Sequence, residues 1–174
     1  MKNSAKHILT LILLLISFPL FAQQVTDLDY SFTLEAPAYK TGEGPVIMLD
    51  QAHNNFHTLN GRYRPFAKVL ENDGYVLRPG NGIITKELLT GCSTFVISDP
   101  MSDNMESAYT NQEITILKEW VKEGGSLLLI TDHYPDPPAI ANLAGAFGIE
   151  VLNGWVLNVK KGEAEGPIFF RRTD

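Results

Sequence analysis

The residues best equipped for chemistry in this 174-residue sequence are few and grouped. Asp50-Gln-Ala-His53-Asn54-Asn55-Phe-His57-Thr58 holds two of the four histidines, and Asp132-His133 holds a third. Asp99 and Asp136 follow similar apolar runs. Three kinds of work suit such a set. Imidazoles with carboxylates can bind zinc or a harder divalent ion, which would make His53, His57 and His133 the metal ligands. Without a metal, Asp50, His53 and His133 are the candidate catalytic acid and base groups. Asn54, Asn55, His57, Asp99 and Asp132 are then the candidate ligand-binding residues. The third reading is mechanical: Asp50 and the Asn pair hydrogen-bond the loop backbone while the histidines brace it. His53 and His57 are four apart and would share a face if the loop were helical. Asp132 and His133 are adjacent, so on a strand they point to opposite faces. His133 is therefore expected to pair with the first loop, at Asp50 or His53.

Elements that would carry these residues can be read from the apolar pattern. Val46 to Leu49 suits a strand covered on both faces. Tyr63, Phe66, Val69 and Leu70 recur at helical spacing, with Pro65 in the first turn and Asn72-Asp-Gly74 as the stop. Tyr75 to Leu77 is a second strand, Ile83 to Leu89 a brief helix, and Thr94 to Ile97 a third strand. The polar loop from Met101 to Tyr109 is expected to move. Thr110-Asn-Gln-Glu113 is a capping box, followed by the apolar face of Ile114, Leu117, Trp120 and Val121. Gly124-Gly125 ends that helix, and Ser126 to Thr131 reads as a fully buried strand. Pro137-Pro138 opens a last helix closed by Gly148, and Glu150 to Val159 forms a strand or hairpin. Alternating strands and helices with short links argue an α/β fold with a doubly wound, mostly parallel sheet and helices on both faces. All three candidate histidines then fall at carboxyl ends of strands, where such sheets bind ligands.

The ends of the chain read differently. Residues 1–22 pair Lys2 and Lys6 with an apolar run from Ile8 to Leu20 and a small residue at Ala22, the pattern of a cleaved signal peptide. Residues 23–45 form an N-terminal approach in which Leu28, Tyr30, Phe32 and Leu34 alternate as in a half-buried strand. Residues 46–174 make the α/β domain; a short native tail and truncation of a longer protein both fit its end. Removing Lys2 and Lys6 from the 14 Lys and Arg leaves 12 against 20 Asp and Glu, a net charge of −8. An acidic, exported chain of periplasmic or extracellular location is a poor partner for nucleic acid or anionic membrane, and cleavage leaves no stable membrane insertion. Cys92 is the only cysteine, so no disulfide framework or CxxC motif exists, and a buried thiol is expected.

No GxSxG elbow, GxGxxG fingerprint, GxxxxGK[ST] loop or HExxH helix appears in the sequence. Arg62 and Arg64 read as solvated charge or as anchors for an anionic substrate. Trp155 reads as hairpin packing or as a sugar platform.

Three segments carry a resemblance: Val46 to Thr58, Gly61 to Phe66, and Glu123 to His133. Together they resemble a bacterial domain family of unknown function in the class I glutamine amidotransferase-like superfamily, near domains of gliding-motility and intraflagellar-transport proteins. The resemblance spans roughly residues 40–155 and implies a flavodoxin-like sheet with its site at the carboxyl edge. It also implies a nucleophilic cysteine in an elbow after the strand that Leu127 to Thr131 resembles. Asp132-His133 stand there instead, Cys92 precedes a strand, and the fold's late His-Glu pair has no counterpart, so a glutaminase is not expected. The expectation is an exported domain that binds a small polar ligand, a carbohydrate or other envelope-derived molecule, at the strand edge. A divalent metal such as zinc and hydrolysis are extensions of that reading. The alternative is a non-catalytic module with protein partners in a cell-envelope or transport assembly.

Overall fold

The protein is seen here in a computed structural model that describes residues 25–102, 106–132, 136–152, 157–160 and 163–167. Its elements are β1 (Val46–Asp50), α1 (Arg64–Asn72), β2 (Val76–Gly80), β3 (Thr94–Ser98), α2 (Asn111–Lys122), β4 (Ser126–Ile130), α3 (Asp136–Ala146), β5 (Leu157–Lys160) and β6 (Glu163–Pro167). The first four strands form one parallel sheet in the order β2-β1-β3-β4, and β5 and β6 form a separate antiparallel pair. Parallel strands put all their carboxyl ends at one edge. The chain passes from β1 to β2 on one side and then to β3 on the other, so the loops after β1 and β3 part at a switch point. The fold is the expected α/β, flavodoxin-like one.

Strand alternation assigns the two faces. Met48, Phe95, Ile97, Leu127 and Leu129 pack toward Ile114 and Leu117 of α2 and Ile140 and Leu143 of α3. Ile47, Leu49, Val96 and Ile130 pack toward Tyr63, Ala67 and Leu70 at α1. Each fully buried side chain of this kind contributes about 1.5–3 kcal/mol. The capping box of α2 forms as expected: Glu113 N donates to Thr110 Oγ1 at 3.3 Å, and Thr110 N donates to Glu113 Oε2 at 2.9 Å. Gly124 stops the helix with φ of 110°, a conformation costly for a residue with a Cβ.

Several expectations need correction. β4 is not fully buried: Leu128 is 42% exposed, because β4 is an edge strand among the described residues and α1 covers β1 and β3 instead. The alternating segment around Leu28 to Leu34 is not a strand. It lies beside α1, tied by Lys68 Nζ to Leu28 O at 2.7 Å and by Asn72 Nδ2 to Phe32 O, and pairs with no described strand. Phe32 accordingly stays 44% exposed. Residues 86–91 form successive turns, with Leu89 N bonded to Thr85 O, and no sustained helix. The end of the Met101 to Tyr109 loop is anchored: Ala108 N donates to Ala139 O at 2.8 Å, and Tyr109 is buried. Residues 1–22, where a signal peptide is expected, His133 and Trp155 lie outside the described residues. No described helix is long and apolar enough to cross a membrane.

Candidate functional site

β1 runs out at Asp50, whose carboxylate is wholly buried. It is held by three donors in four contacts. Ala52 N closes a local turn onto Oδ1 at 3.1 Å, Tyr109 OH donates to Oδ2 at 2.7 Å, and His53 Nδ1 approaches Oδ1 at 3.0 Å and Oδ2 at 2.8 Å. The other nitrogen of the same ring, His53 Nε2, meets Glu113 Oε1 at 2.9 Å. Glu113 Oε1 also accepts Ile84 N at 2.9 Å, while Oε2 accepts the backbone and hydroxyl of Thr110. The Tyr109 ring lies over the imidazole with centroids 4.4 Å apart. The His53 side chain is only 8% exposed.

Two buried carboxylates on one imidazole select its doubly protonated form. Burial by itself lowers the His53 pKa, but hydrogen bonds and charge from Asp50, and then from Glu113, overcome it and raise the pKa above 6.5. Burial likewise pushes Glu113 up, and the N–H groups of Ile84 and Thr110, the Thr110 hydroxyl and His53 bring it below 4.5. Burial and Asp50 raise Tyr109, so it remains a donor. Loop, strand end and helix start are thus locked by one imidazolium. Neither ring nitrogen is presented to solvent.

A second cluster is built at the ends of β3 and β4. Asn54 and Asp99 both adopt the left-handed region, at φ of 50° and 49°, a conformation their short polar side chains tolerate better than most. The two residues frame a bridge between the loops: Phe56 N donates to Asp99 O at 3.1 Å, and Met101 N to Asn54 O at 3.3 Å. Asn55 reinforces it by accepting Ser98 N on Oδ1 at 3.0 Å. This zipper sets His57 Nδ1 3.6 Å from Asp99 Oδ2, with the imidazole edge-on to Tyr63 at 4.2 Å. Tyr63 OH in turn accepts the Ser98 hydroxyl at 2.7 Å. Burial and then the charge of Asp132 raise the Asp99 pKa above 3.8, against the backbone N–H of Asp132, which lowers it. Asp99 Oδ1 is buried with no hydrogen-bond partner among the described residues.

The expected site residues therefore fall into two groups. Asp50 and His53 join the buried network, and His57, Asp99 and Asp132 gather at the switch point. Asn54 and Asn55 shape the loop through backbone geometry. His133, the third expected metal ligand, lies outside the described residues, so its pairing with Asp50 or His53 is not described. Among the described residues no three His, Cys, Asp or Glu side chains converge where they could hold a metal ion. Cys92 is half-buried at the start of β3, and burial raises its thiol pKa.

Sequence reasoning missed Glu113, Tyr109, Phe56 and Ser98. For Glu113 the signal was present in the capping box, whose acid has a second carboxylate oxygen to spend elsewhere. Nothing local marks Tyr109, since its partner is 59 residues away. In comparisons with protein-family models, curated proteins and solved structures, the chain matches none.

Proposed function

We propose that the protein binds a small polar ligand, of carbohydrate or related envelope chemistry, over the loops that follow β1, β3 and β4. His57, Asp99 and Asp132 meet the ligand, and Asp50, His53 and Glu113 hold the loop beneath them. One observation carries this reading: Asp99 is a buried carboxyl with a raised pKa and an oxygen unmatched among the described residues, facing Asp132 at the switch point of a parallel sheet. A carboxyl that keeps its proton more readily than usual can donate to a hydroxyl or glycosidic oxygen, and its partner can accept. Hydrolysis by general acid and base is the chemistry such a pair supports. The lost cysteine elbow of the amidotransferase-like resemblance agrees with a site that does not form a thioester.

The test is a binding screen of the full chain with neutral and acidic monosaccharides, repeated on Asp99→Asn and His57→Gln. Binding that weakens at least about tenfold in both variants, with melting temperature retained, supports the proposal. Binding indifferent to both variants rejects it.

A second reading, a protein-interaction module, is favoured by the exposed Leu128 on β4 and by the uncovered Val25, Leu28 and Phe32 beside α1. A partner that co-purifies with His57→Gln but not with Leu128→Lys would support it.

A further inference from the structure

Phe56 is 47% exposed at the edge where ligands are expected, an unusual place to leave a large aromatic ring. Its backbone is fixed by the hydrogen bond to Asp99 O, and its ring lies 5.3 Å from the His57 imidazole. The Arg62 guanidinium carbon stands 4.2 Å from the Phe56 ring centroid. Nearby Arg64 is neutralised by Glu71 at 3.1 Å. Arg62 is not: among the described residues its guanidinium has no carboxylate partner, and the Phe56 ring is its contact. An arginine stacked on an aromatic face keeps its planar fork of donors directed outward, matched to carboxylate or phosphate. Met101, also exposed, is joined to the same loop by its backbone N–H to Asn54 O.

An otherwise acidic surface makes this arrangement selective. The chain carries a net charge of −6, and Asp99 and Asp132 add local negative potential that disfavours anions. A cation with no carboxylate partner among the described residues, set on a ring platform, opposes that potential at one point. Resting on the edge-site reading above, we propose that the ligand is a pyranose bearing an anionic substituent. Its ring covers Phe56, its anion bridges to Arg62, and its hydroxyls reach Asp99 and Asp132.

The experiment titrates the ¹⁵N-labelled full chain with glucose, glucuronate and glucose 6-phosphate, following amide shifts of residues 54–62. Glucuronate or glucose 6-phosphate should bind at least about tenfold more tightly than glucose, with a preference that shrinks as salt rises. Which of the two is preferred identifies the anion as carboxylate or phosphate. Arg62→Gln should abolish the preference, Arg62→Lys should retain part of it, and Phe56→Leu should weaken all three sugars. These side chains are exposed, and an unchanged thermal melt confirms that each variant folds. Equal affinity for glucose and both anions, or an anion preference that survives Arg62→Gln, overturns the inference. If that equal binding still falls in Asp99→Asn, the edge site stands and only its anionic specificity is lost. If the anion preference depends on Arg62 but not on Asp99, the anionic subsite stands and the edge-site reading fails. Absence of binding by all three sugars rejects both.

Discussion

His53 and His57 are four residues apart in one loop, and each faces a carboxylate, yet their surroundings differ. His53 has both nitrogens within hydrogen-bond reach of buried acids, at 2.8 and 2.9 Å, and every acid involved has further donors. His57 stands 3.6 Å from Asp99, whose other oxygen has no hydrogen-bond partner among the described residues and whose neighbour Asp132 repels it. Saturated hydrogen bonding holds a backbone in place. An acid whose ionisation is disfavoured by burial and a like charge takes up a proton more readily than an ordinary carboxylate. The difference teaches that the same residue types act as brace or as chemistry according to how completely their partners satisfy them.

Removing the brace should have the largest effect. His53→Ala leaves Asp50 and Glu113 facing each other in the interior, and losing one member of a buried ionic network costs about 3–5 kcal/mol. For a domain of this size that lowers the melting temperature by roughly 10–15 °C in thermal unfolding. His57→Ala should cost under about 1 kcal/mol by the same measurement. Equal losses would break the contrast.

Glu113→Gln keeps the shape of the network but removes the charge and one acceptor. It should cost about 1–3 kcal/mol in denaturant unfolding. A cost confined to the roughly 1 kcal/mol of a helix cap would mean that Glu113 only caps α2.

The pH dependence sharpens the comparison further. His53 has a raised folded-state pKa, so its contribution is complete below 6.5 and declines as pH rises through the folded value. Glu113 is lowered, so its contribution is present above 4.5 and is lost as pH falls through its folded value. Stability from the brace should therefore peak between those limits. Unfolding across pH should show the alkaline decline in the wild type and its absence in His53→Gln.

Asp99→Asn should have the smallest effect on stability, and the opposite sign. Asp99 is raised, so its ionisation above 3.8 opposes folding. Asn tolerates its φ of 49° and removes the repulsion from Asp132. A gain of up to about 1 kcal/mol at neutral pH, accompanied by loss of ligand binding, is expected. A stability loss would mean that Asp99 is structural.

Much of the fold was legible because it is written in local patterns. The apolar run of β1, the Thr110–Glu113 capping box and the glycine stops each act within a few residues. The fate of β4 was not legible, since its apolar run matches a central strand while its place at the edge is decided by topology. Alternation at Leu28 to Leu34 misled for a related reason: period-two patterning makes a strand only where another strand pairs with it, and this segment is tied to α1 instead. Sequence placed Asp50, His53, His57, Asp99 and Asp132 at or after the carboxyl ends of strands, where the structure has them. It could not divide them into two clusters, because that division depends on Tyr109 and Glu113 arriving from about 60 residues away.

The division between a saturated and a poised histidine is tested most directly by ¹⁵N–¹H correlation spectra of the two imidazoles, recorded across pH with and without glucuronate. His53 should carry protons on both nitrogens at pH 6.5, lose one only at higher pH, and not respond to the sugar, while His57 shifts on its addition. A His53 ring that is neutral at pH 6.5 and moves with the sugar, beside an unresponsive His57, would contradict that division.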